Sequence, residues 1–205
     1  ADRPIPFLTM PYVGVLDALV YALPFRLFGS TPLVPRYTNL FLAALTFLLT
    51  WRFARRAAGP WAALFTLGLL LADLELLLHL PTNYGPLVLQ QLFTAGALLA
   101  LSHWWDSARH RYFFLAVALL AFAFHEKLTF LWILSSLALA AFLTHRRPIL
   151  AASRWWLYPA GLLLAVLIVS PILYYTWQLP ELVLGFGRNN SGLRIPFTTL
   201  LVERW

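Results

Sequence analysis

Long apolar runs, separated by short polar segments, occupy most of the chain between residues 37 and 178. Several of these runs approach or exceed the ~18–20 apolar residues that cross a bilayer as a helix. The pattern predicts six transmembrane helices, at 37–54, 60–80, 86–105, 111–125, 128–144 and 155–178. The expected fold is therefore all-α and polytopic, with residues 1–205 in one transmembrane domain and 179–205 in an outer loop.

The polar segments between the runs alternate in charge. The segments "RFARRAAG", "WWDSARHR" and "HRRPILAASR" together hold eight Arg and one Asp, whereas "PTNYGP" carries no charge. Short basic loops stay on the cytoplasmic side of a membrane. We therefore expect these three segments to be cytoplasmic, in a bacterial inner membrane, and the alternate loops to face the periplasm or exterior.

The turn between the fourth and fifth runs contains no Gly or Pro. Arg111 and His145 are 34 residues apart, which is ~51 Å of helix against a hydrocarbon core of ~30 Å. Arg111 and His145 both lie in basic segments that we expect on the cytoplasmic side. We therefore expect a short hairpin between them, with His125, Glu126 and Lys127 at its outer tip. This triplet would then face the outside or a wet cavity that opens there.

An earlier apolar stretch, residues 10–29, contains Asp17, Pro24 and Arg26. A charge at the centre of a spanning helix costs ~2.5–3.5 kcal/mol on insertion scales. A helix lying in the outer membrane interface tolerates such residues better. We therefore favour an amphipathic interfacial helix over a further spanning helix for this stretch.

Composition agrees with a membrane protein. Hydrophobic residues make up 61% of the chain and charged residues 11%, against ~45–50% and ~25% in soluble domains. The net charge of +7 lies mostly in short clusters between apolar runs, so it argues for topology signals and against nucleic-acid binding. Cysteine is absent, which excludes disulfides and thiolate metal sites. Because the chain begins Ala-Asp-Arg, it is expected to be part of a longer protein.

The order of motifs resembles that of polytopic GT-C glycosyltransferases. The stretch "MPYVGVLDALVYALPFRLFGSTPLVPRYTNLFLAALTFLLTWRFARRAAG" is similar to the segment after their first transmembrane helix, above all in the protein O-mannosyltransferase and aminoarabinose-transferase branch. There, an outer interfacial helix ends in a Phe-Gly pair, an Arg follows in a short loop, and the next helix ends in a basic cluster; here these are Phe28-Gly29, Arg36 and residues 52–59. "FHEKLTFLW" is similar to the family's short hairpin.

The resemblance implies a transferase that moves a sugar from a polyprenyl-phosphate donor to a protein or lipid acceptor on the outer face, among membrane lipids. The family places an essential acidic residue between its first span and the interfacial helix. Asp2 and Asp17 are the candidates here, although neither matches that motif cleanly. A catalytic acid in a preceding part of the protein is therefore also consistent with the resemblance.

A lipid-phosphate leaving group develops negative charge, so its site needs fixed cations at the outer surface. Four basic residues are expected on that side, and they are the candidates for phosphate binding: Arg36, Lys127, Arg188 and Arg194. The resemblance adds support for Arg36. Ordinary solvation of loops and helix ends would also account for these residues.

A second set of polar residues interrupts apolar runs near the outer side: His125, Glu126, Asp73, Glu75 and His79. Glu75 and His79 are four residues apart and share a helix face, whereas Asp73 points elsewhere. A structural pair between helices, a proton relay and acceptor contact all remain open for them. A histidine and two carboxylates can hold a divalent cation, but the spacing specifies none, and we assign no metal ligand.

Two other classes of protein compete with the transferase. A transporter or flippase-like protein would use the same outer charges as a substrate path, and it predicts repeated halves and helices broken near the bilayer midplane. The sequence shows no internal repeat, and Pro171 is its clearest mid-helix breaker. A membrane scaffold without a ligand leaves Asp73 and Glu75 unexplained.

Overall fold

The computed structural model describes residues 8–10, 13–14, 16–73, 87–126, 130–150 and 155–178. Within these ranges the chain forms two short strands and six helices. They are β1 (Leu8–Met10), β2 (Val13–Gly14), α1 (Leu16–Phe28), α2 (Leu33–Ala72), α3 (Leu87–Ser107), α4 (His110–Glu126), α5 (Leu131–Leu150) and α6 (Leu157–Gln178).

The N-terminal helix is shorter than the sequence pattern predicts. It begins at Leu16 rather than at residue 10, because β1 and β2 pair as antiparallel strands before it, with Met10 opposite Val13. The proline that follows Met10 explains part of this difference, since a residue before proline is biased toward extended backbone. The predicted helix start is therefore wrong.

The end of α1 agrees with the sequence. Gly29 has φ 80°, and its N–H donates to the carbonyl of Phe25 at 2.9 Å. A glycine in this conformation closes a helix at little steric cost. The 13 residues of α1 extend only ~20 Å, less than a ~30 Å hydrocarbon core. Its placement in the membrane interface stays a prediction.

Helix α2 is interrupted at Gly59, where φ is 89° and ψ is 179°. Pro60 follows, and its missing N–H and its ring prevent the helix from continuing regularly across this point. Forty unbroken residues would extend ~60 Å, about twice the hydrocarbon core. The break therefore separates the first predicted span from the second.

Three helices of the described ranges are long and apolar enough to cross a membrane: Leu33–Ala72, Leu87–Ser107 and Leu157–Tyr174. They correspond to the predicted first, second, third and sixth spans. Helices α4 and α5 lie where the fourth and fifth spans were predicted. The helical fold is confirmed, whereas the count of six spans stays a prediction.

The helices pack side by side in the order α2, α3, α4 and α6. Leu42 and Val88 belong to the apolar core between α2 and α3. Between α3 and α4 the buried residues are small: Ala97, Ala100 and Ala116. Small side chains let helix backbones approach closely, which favours packing in an apolar environment.

The described helices have two chemically different ends. At one end, which we call the arginine end, Arg56 on α2 pairs with Asp106 on α3 at 2.5 Å. The His110 ring of α4 lies 5.1 Å from Trp156, just before α6. At the opposite end, which we call the α1 end, α1 contacts the first turns of α2 and the last residue of α4.

Candidate functional site

Glu126, the last residue of α4, docks onto the first turn of α1. Its Oε1 accepts a hydrogen bond from the Asp17 N–H at 3.4 Å, and its side chain is completely buried. Backbone N–H groups in the first turn of a helix lack intrahelical acceptors. Burial, and then the nearby Asp17 carboxylate, raise the pKa of Glu126 to about 8. The hydrogen bond to this carboxyl group, 109 residues away, rather than a full negative charge, therefore stabilises the beginning of α1.

A second polar contact ties α1 to α2. The Tyr21 hydroxyl donates a hydrogen bond to Asn39 Oδ1, and both side chains are buried. Tyr21 follows Asp17 by one helical turn and therefore lies on the same face of α1. We call Asp17, Tyr21, Asn39 and Glu126 the polar cluster.

Electrostatics keep the Tyr21 hydroxyl protonated. Burial, and then the nearby Asp17 carboxylate, raise the pKa of Tyr21 well above its usual value, while the hydrogen bond to Asn39 opposes this and Glu126 adds to it. A neutral phenol remains a hydrogen-bond donor to Asn39. The cluster thus combines two acidic side chains with one phenol and one amide.

Part of this hydrogen-bonding capacity is unused. Among the described residues, neither Asn39 Nδ2 nor Glu126 Oε2 has a hydrogen-bond partner, although both atoms are buried. Buried polar groups are normally satisfied, since an unmade hydrogen bond costs ~1–3 kcal/mol. The cluster therefore has both donor and acceptor capacity to offer a further polar group.

An apolar groove of about 480 Å³ lies between α1 and α2. Its lining is dominated by apolar and aromatic side chains with two threonines: Pro24, Phe28, Thr31, Leu33, Val34, Tyr37, Thr38 and Phe41. Asp17, Tyr21, Pro24 and Phe28 follow the helical spacing that places residues on one face of α1. The groove and the polar cluster are consequently neighbours along that face.

The two described residues of the predicted hairpin tip, His125 and Glu126, are buried. His125 is 5% exposed and Glu126 is 0% exposed, so neither faces water as the sequence led us to expect. The reason is α1, whose first turn lies against the end of α4. The His125 Nδ1 atom also lacks a hydrogen-bond partner among the described residues.

The other predicted site residues are not brought into the polar cluster by any described contact. Arg36 is exposed, and no hydrogen bond or ion pair joins it to another described residue. Asp73 ends α2, where its N–H donates to the carbonyl of Leu69 at 3.0 Å. Six predicted residues lie outside the described residues: Asp2, Glu75, His79, Lys127, Arg188 and Arg194.

Sequence reasoning missed Tyr21 and Asn39. Tyr21 is four residues after Asp17, and Asn39 is a lone amide at the start of an apolar run. The four-residue spacing from Asp17 and the isolated amide were the sequence features that could have identified these two residues. Within the described ranges, no group of three His, Cys, Asp or Glu side chains is placed to hold a metal ion.

Comparison with known proteins identifies the family. A family model described as dolichyl-phosphate-mannose-protein mannosyltransferase matches residues 13–175, which is most of the 205 residues. The chain belongs to this mannosyltransferase family. No curated protein and no solved structure matches it.

Membership makes the protein a membrane glycosyltransferase of the mannosyltransferase type. The family match begins at Val13 and so includes all of α1. It therefore covers every residue of the polar cluster and the whole lining of the apolar groove.

Proposed function

We propose that this mannosyltransferase moves a sugar from a polyprenyl-phosphate donor to a hydroxyl or amine of an acceptor on the outer face of a bacterial inner membrane. The observation that carries the proposal is the family match. The matched region includes the half-buried Asp17 and the buried Glu126, which meet at the end of the helices opposite the arginine end. The family description names a protein acceptor, and the resemblance to aminoarabinose transferases adds a lipid acceptor.

The reaction requires a base at the acceptor. As the acceptor oxygen or nitrogen forms a bond to the anomeric carbon, the bond from that carbon to the phosphate oxygen breaks, and polyprenyl phosphate leaves with the electron pair. A carboxylate that accepts the acceptor proton speeds such a step by ~10²–10⁴. We assign this role to Asp17, which is half-buried at the polar cluster, with Asp2 as the alternative.

The leaving phosphate requires cations. Fixed positive charge at the position where negative charge develops stabilises the transition state. Arg36 is exposed and makes no ion pair with a described residue, so its guanidinium is available to a phosphate. We also assign phosphate contact to Lys127, Arg188 and Arg194, on the basis of their expected side of the membrane.

The test is sugar transfer by the full-length protein in vesicles, with polyprenyl-phosphate mannose and either a protein or a lipid acceptor. Asp17→Asn is expected to lower turnover by ~10²–10⁴, and Arg36→Ala is expected to weaken use of the donor. Arg26→Ala, which changes an exposed arginine of α1, is the control for Arg36. Full turnover in both Asp17→Asn and Arg36→Ala would refute these roles, and no transfer by wild type would refute the function.

A further inference from the structure

One face of α1 changes from polar to apolar along the length of the helix. Pro24 and Phe28 lie on the half of this face that lines the apolar groove. Asp17 and Tyr21 lie on the other half, in the polar cluster. From Asp17 to Phe28 the helix rises ~16 Å, enough to contact both a chain and a head group of one lipid.

The groove has the size and lining of a ligand site. Its volume of about 480 Å³ falls within the ~300–1,000 Å³ of small-molecule pockets, which are mostly apolar with a few polar groups. Tyr37 and Phe41 on its rim are 66% and 63% exposed. A lipid chain can therefore enter it from the side.

The charge around the cluster restricts the head group. Asp17 and Glu126 both act on the Tyr21 hydroxyl, and Glu126 Oε2 has no described hydrogen-bond partner. Burial, and then the nearby Asp17 carboxylate, raise the pKa of Glu126 to about 8, so Asp17 carries the negative charge of the cluster near neutral pH. An anionic phosphate placed there is repelled by Asp17 across a short, partly buried distance. A hydroxyl group instead donates to a carboxylate and accepts from an amide N–H.

Arg36 does not offset this charge from the groove side. It follows Val34 of the groove wall by two residues, which is about 200° around the helix. Arg36 is not part of the groove lining, so the polyprenyl chain of a donor whose phosphate contacts Arg36 need not enter the groove. The groove is then left to the chain of a second lipid.

We propose that the groove and the adjoining polar cluster bind a glycolipid, with an acyl chain in the groove and an uncharged, hydroxyl-bearing head against Tyr21 and Asp17. One consequence of this site rests on the proposed function: a hydroxyl of the bound head group lies beside Asp17, the assigned base, where the hydroxyl of a lipid acceptor would react. The binding site itself requires no sugar transfer.

Photo-crosslinking tests the site without turnover. Three lipids carry a diazirine in the chain: a glucosyl diacylglycerol, phosphatidylglycerol and polyprenyl phosphate, each in vesicles containing the full-length protein. The glucosyl lipid is expected to label residues 24–41 about tenfold more than phosphatidylglycerol does, because the Asp17 carboxylate repels the phosphate of phosphatidylglycerol. Residues 157–174, which include the exposed Leu162 and Leu163, are the control surface and are expected to be labelled equally by both lipids.

Three variants sharpen the result. Thr38→Trp fills the groove and is expected to abolish the preferential labelling, whereas Leu163→Trp on α6 leaves it unchanged. Asp17→Asn is expected to raise labelling by phosphatidylglycerol, since one like charge is removed. Equal labelling of 24–41 by all three lipids in the wild type would mean nonspecific contact and overturn the proposal.

Preferential labelling by polyprenyl phosphate would overturn it in favour of a donor site. Sugar transfer to a protein acceptor is measured on the same samples. Transfer without glycolipid labelling refutes the lipid site alone, and labelling without transfer refutes the proposed function alone.

Discussion

At the scale of single residues, the hydrogen bond from Tyr21 to Asn39 holds α1 against α2. Asn39 is 0% exposed, and its Nδ2 has no partner among the described residues. Among the described residues, the Tyr21 hydroxyl is therefore the group that satisfies the carbonyl oxygen of this buried amide. An unsatisfied buried polar group costs ~1–3 kcal/mol.

Tyr21→Phe tests this contact. Removing the hydroxyl leaves the Asn39 carbonyl without its donor, so the free energy of unfolding is expected to fall by ~1–3 kcal/mol. Thermal unfolding in detergent measures the change. Tyr37→Phe is the matched control, because Tyr37 is 66% exposed and its replacement is expected to have little effect. Equal shifts in the two variants would contradict this role for Tyr21.

Part of this site was predictable from the sequence. Asp17 and Glu126 stood out because carboxylates are costly in apolar runs, and the structure brings the two residues together. Tyrosine is common at membrane interfaces, and Asn39 is a single uncharged amide at the start of an apolar run, so composition alone did not mark either residue. The burial of His125 and Glu126 depends on α1, which is distant in sequence, and local charge indicated the opposite.

At the scale of secondary structure elements, the break in α2 depends on one backbone conformation. Gly59 has φ 89° and ψ 179°, a region in which residues with a side chain are strained by ~1–3 kcal/mol. No atom lies within 4 Å of a Cβ added there. The cost of replacing this glycine is therefore conformational rather than steric.

Gly59→Ala is accordingly expected to lower the free energy of unfolding by ~1–3 kcal/mol. Gly68→Ala is a matched control within the same element, since Gly68 has open space around it and no positive φ. There, alanine is expected to stabilise the helix by ~0.5–1 kcal/mol. Opposite shifts in melting temperature would support the assignment, and stabilisation by Gly59→Ala would contradict it.

A second glycine allows α6 to approach α4. A Cβ on Gly161 would lie 2.8 Å from Phe113 Cε1 and 3.1 Å from Phe113 Cζ. Phe113 is itself buried and has its ring 5.1 Å from that of Trp104, so it has little room to move. The close packing of α4 and α6 therefore requires glycine here.

Gly161→Ala is expected to cost ~1–3 kcal/mol through overpacking. Gly96→Ala between α3 and α4 serves as its control, because there the nearest atom is the flexible end of Leu119, at 3.1 Å. Thermal unfolding is expected to show the larger loss for Gly161→Ala. A loss as large in Gly96→Ala would show that any methyl group in the bundle is equally disruptive.

Sequence periodicity predicted the positions of the elements better than their ends. The predicted third and fourth spans, 86–105 and 111–125, closely match α3 and α4, since long apolar runs have few alternatives to helix. The strands β1 and β2 were missed, because pairs this short leave no periodic signal.

At the scale of the whole molecule, the two ends of the helices differ as the charge pattern predicts. The ion pair of Arg56 with Asp106 brings two of the basic segments together at one end, and the contact of His110 with Trp156 places the start of α6 at the same end. Glu126 and α1 meet at the other. Which end faces the cytoplasm follows from the positive-inside rule and stays a prediction.

Single cysteines test this orientation on a background that contains none. Ser30→Cys lies at the α1 end and Ser107→Cys at the arginine end, and both serines are exposed. In sealed right-side-out vesicles, a membrane-impermeant maleimide is expected to label Ser30→Cys alone. Lysed vesicles, in which both variants react, provide the control. Labelling of Ser107→Cys in intact vesicles would reverse the topology and contradict the outer-face site.

The contact between Asp17 and Glu126 has a consequence for biosynthesis. Asp17 and Glu126 are 109 residues apart. The ribosome therefore synthesises α1 long before Glu126, whose side chain accepts the hydrogen bond from the first turn of α1. Nascent chains arrested upstream of residue 126 should therefore leave α1 open to protease, and protection should appear only once α4 has emerged. Helix α1 would thus reach its final position only after helices that are synthesised well after it.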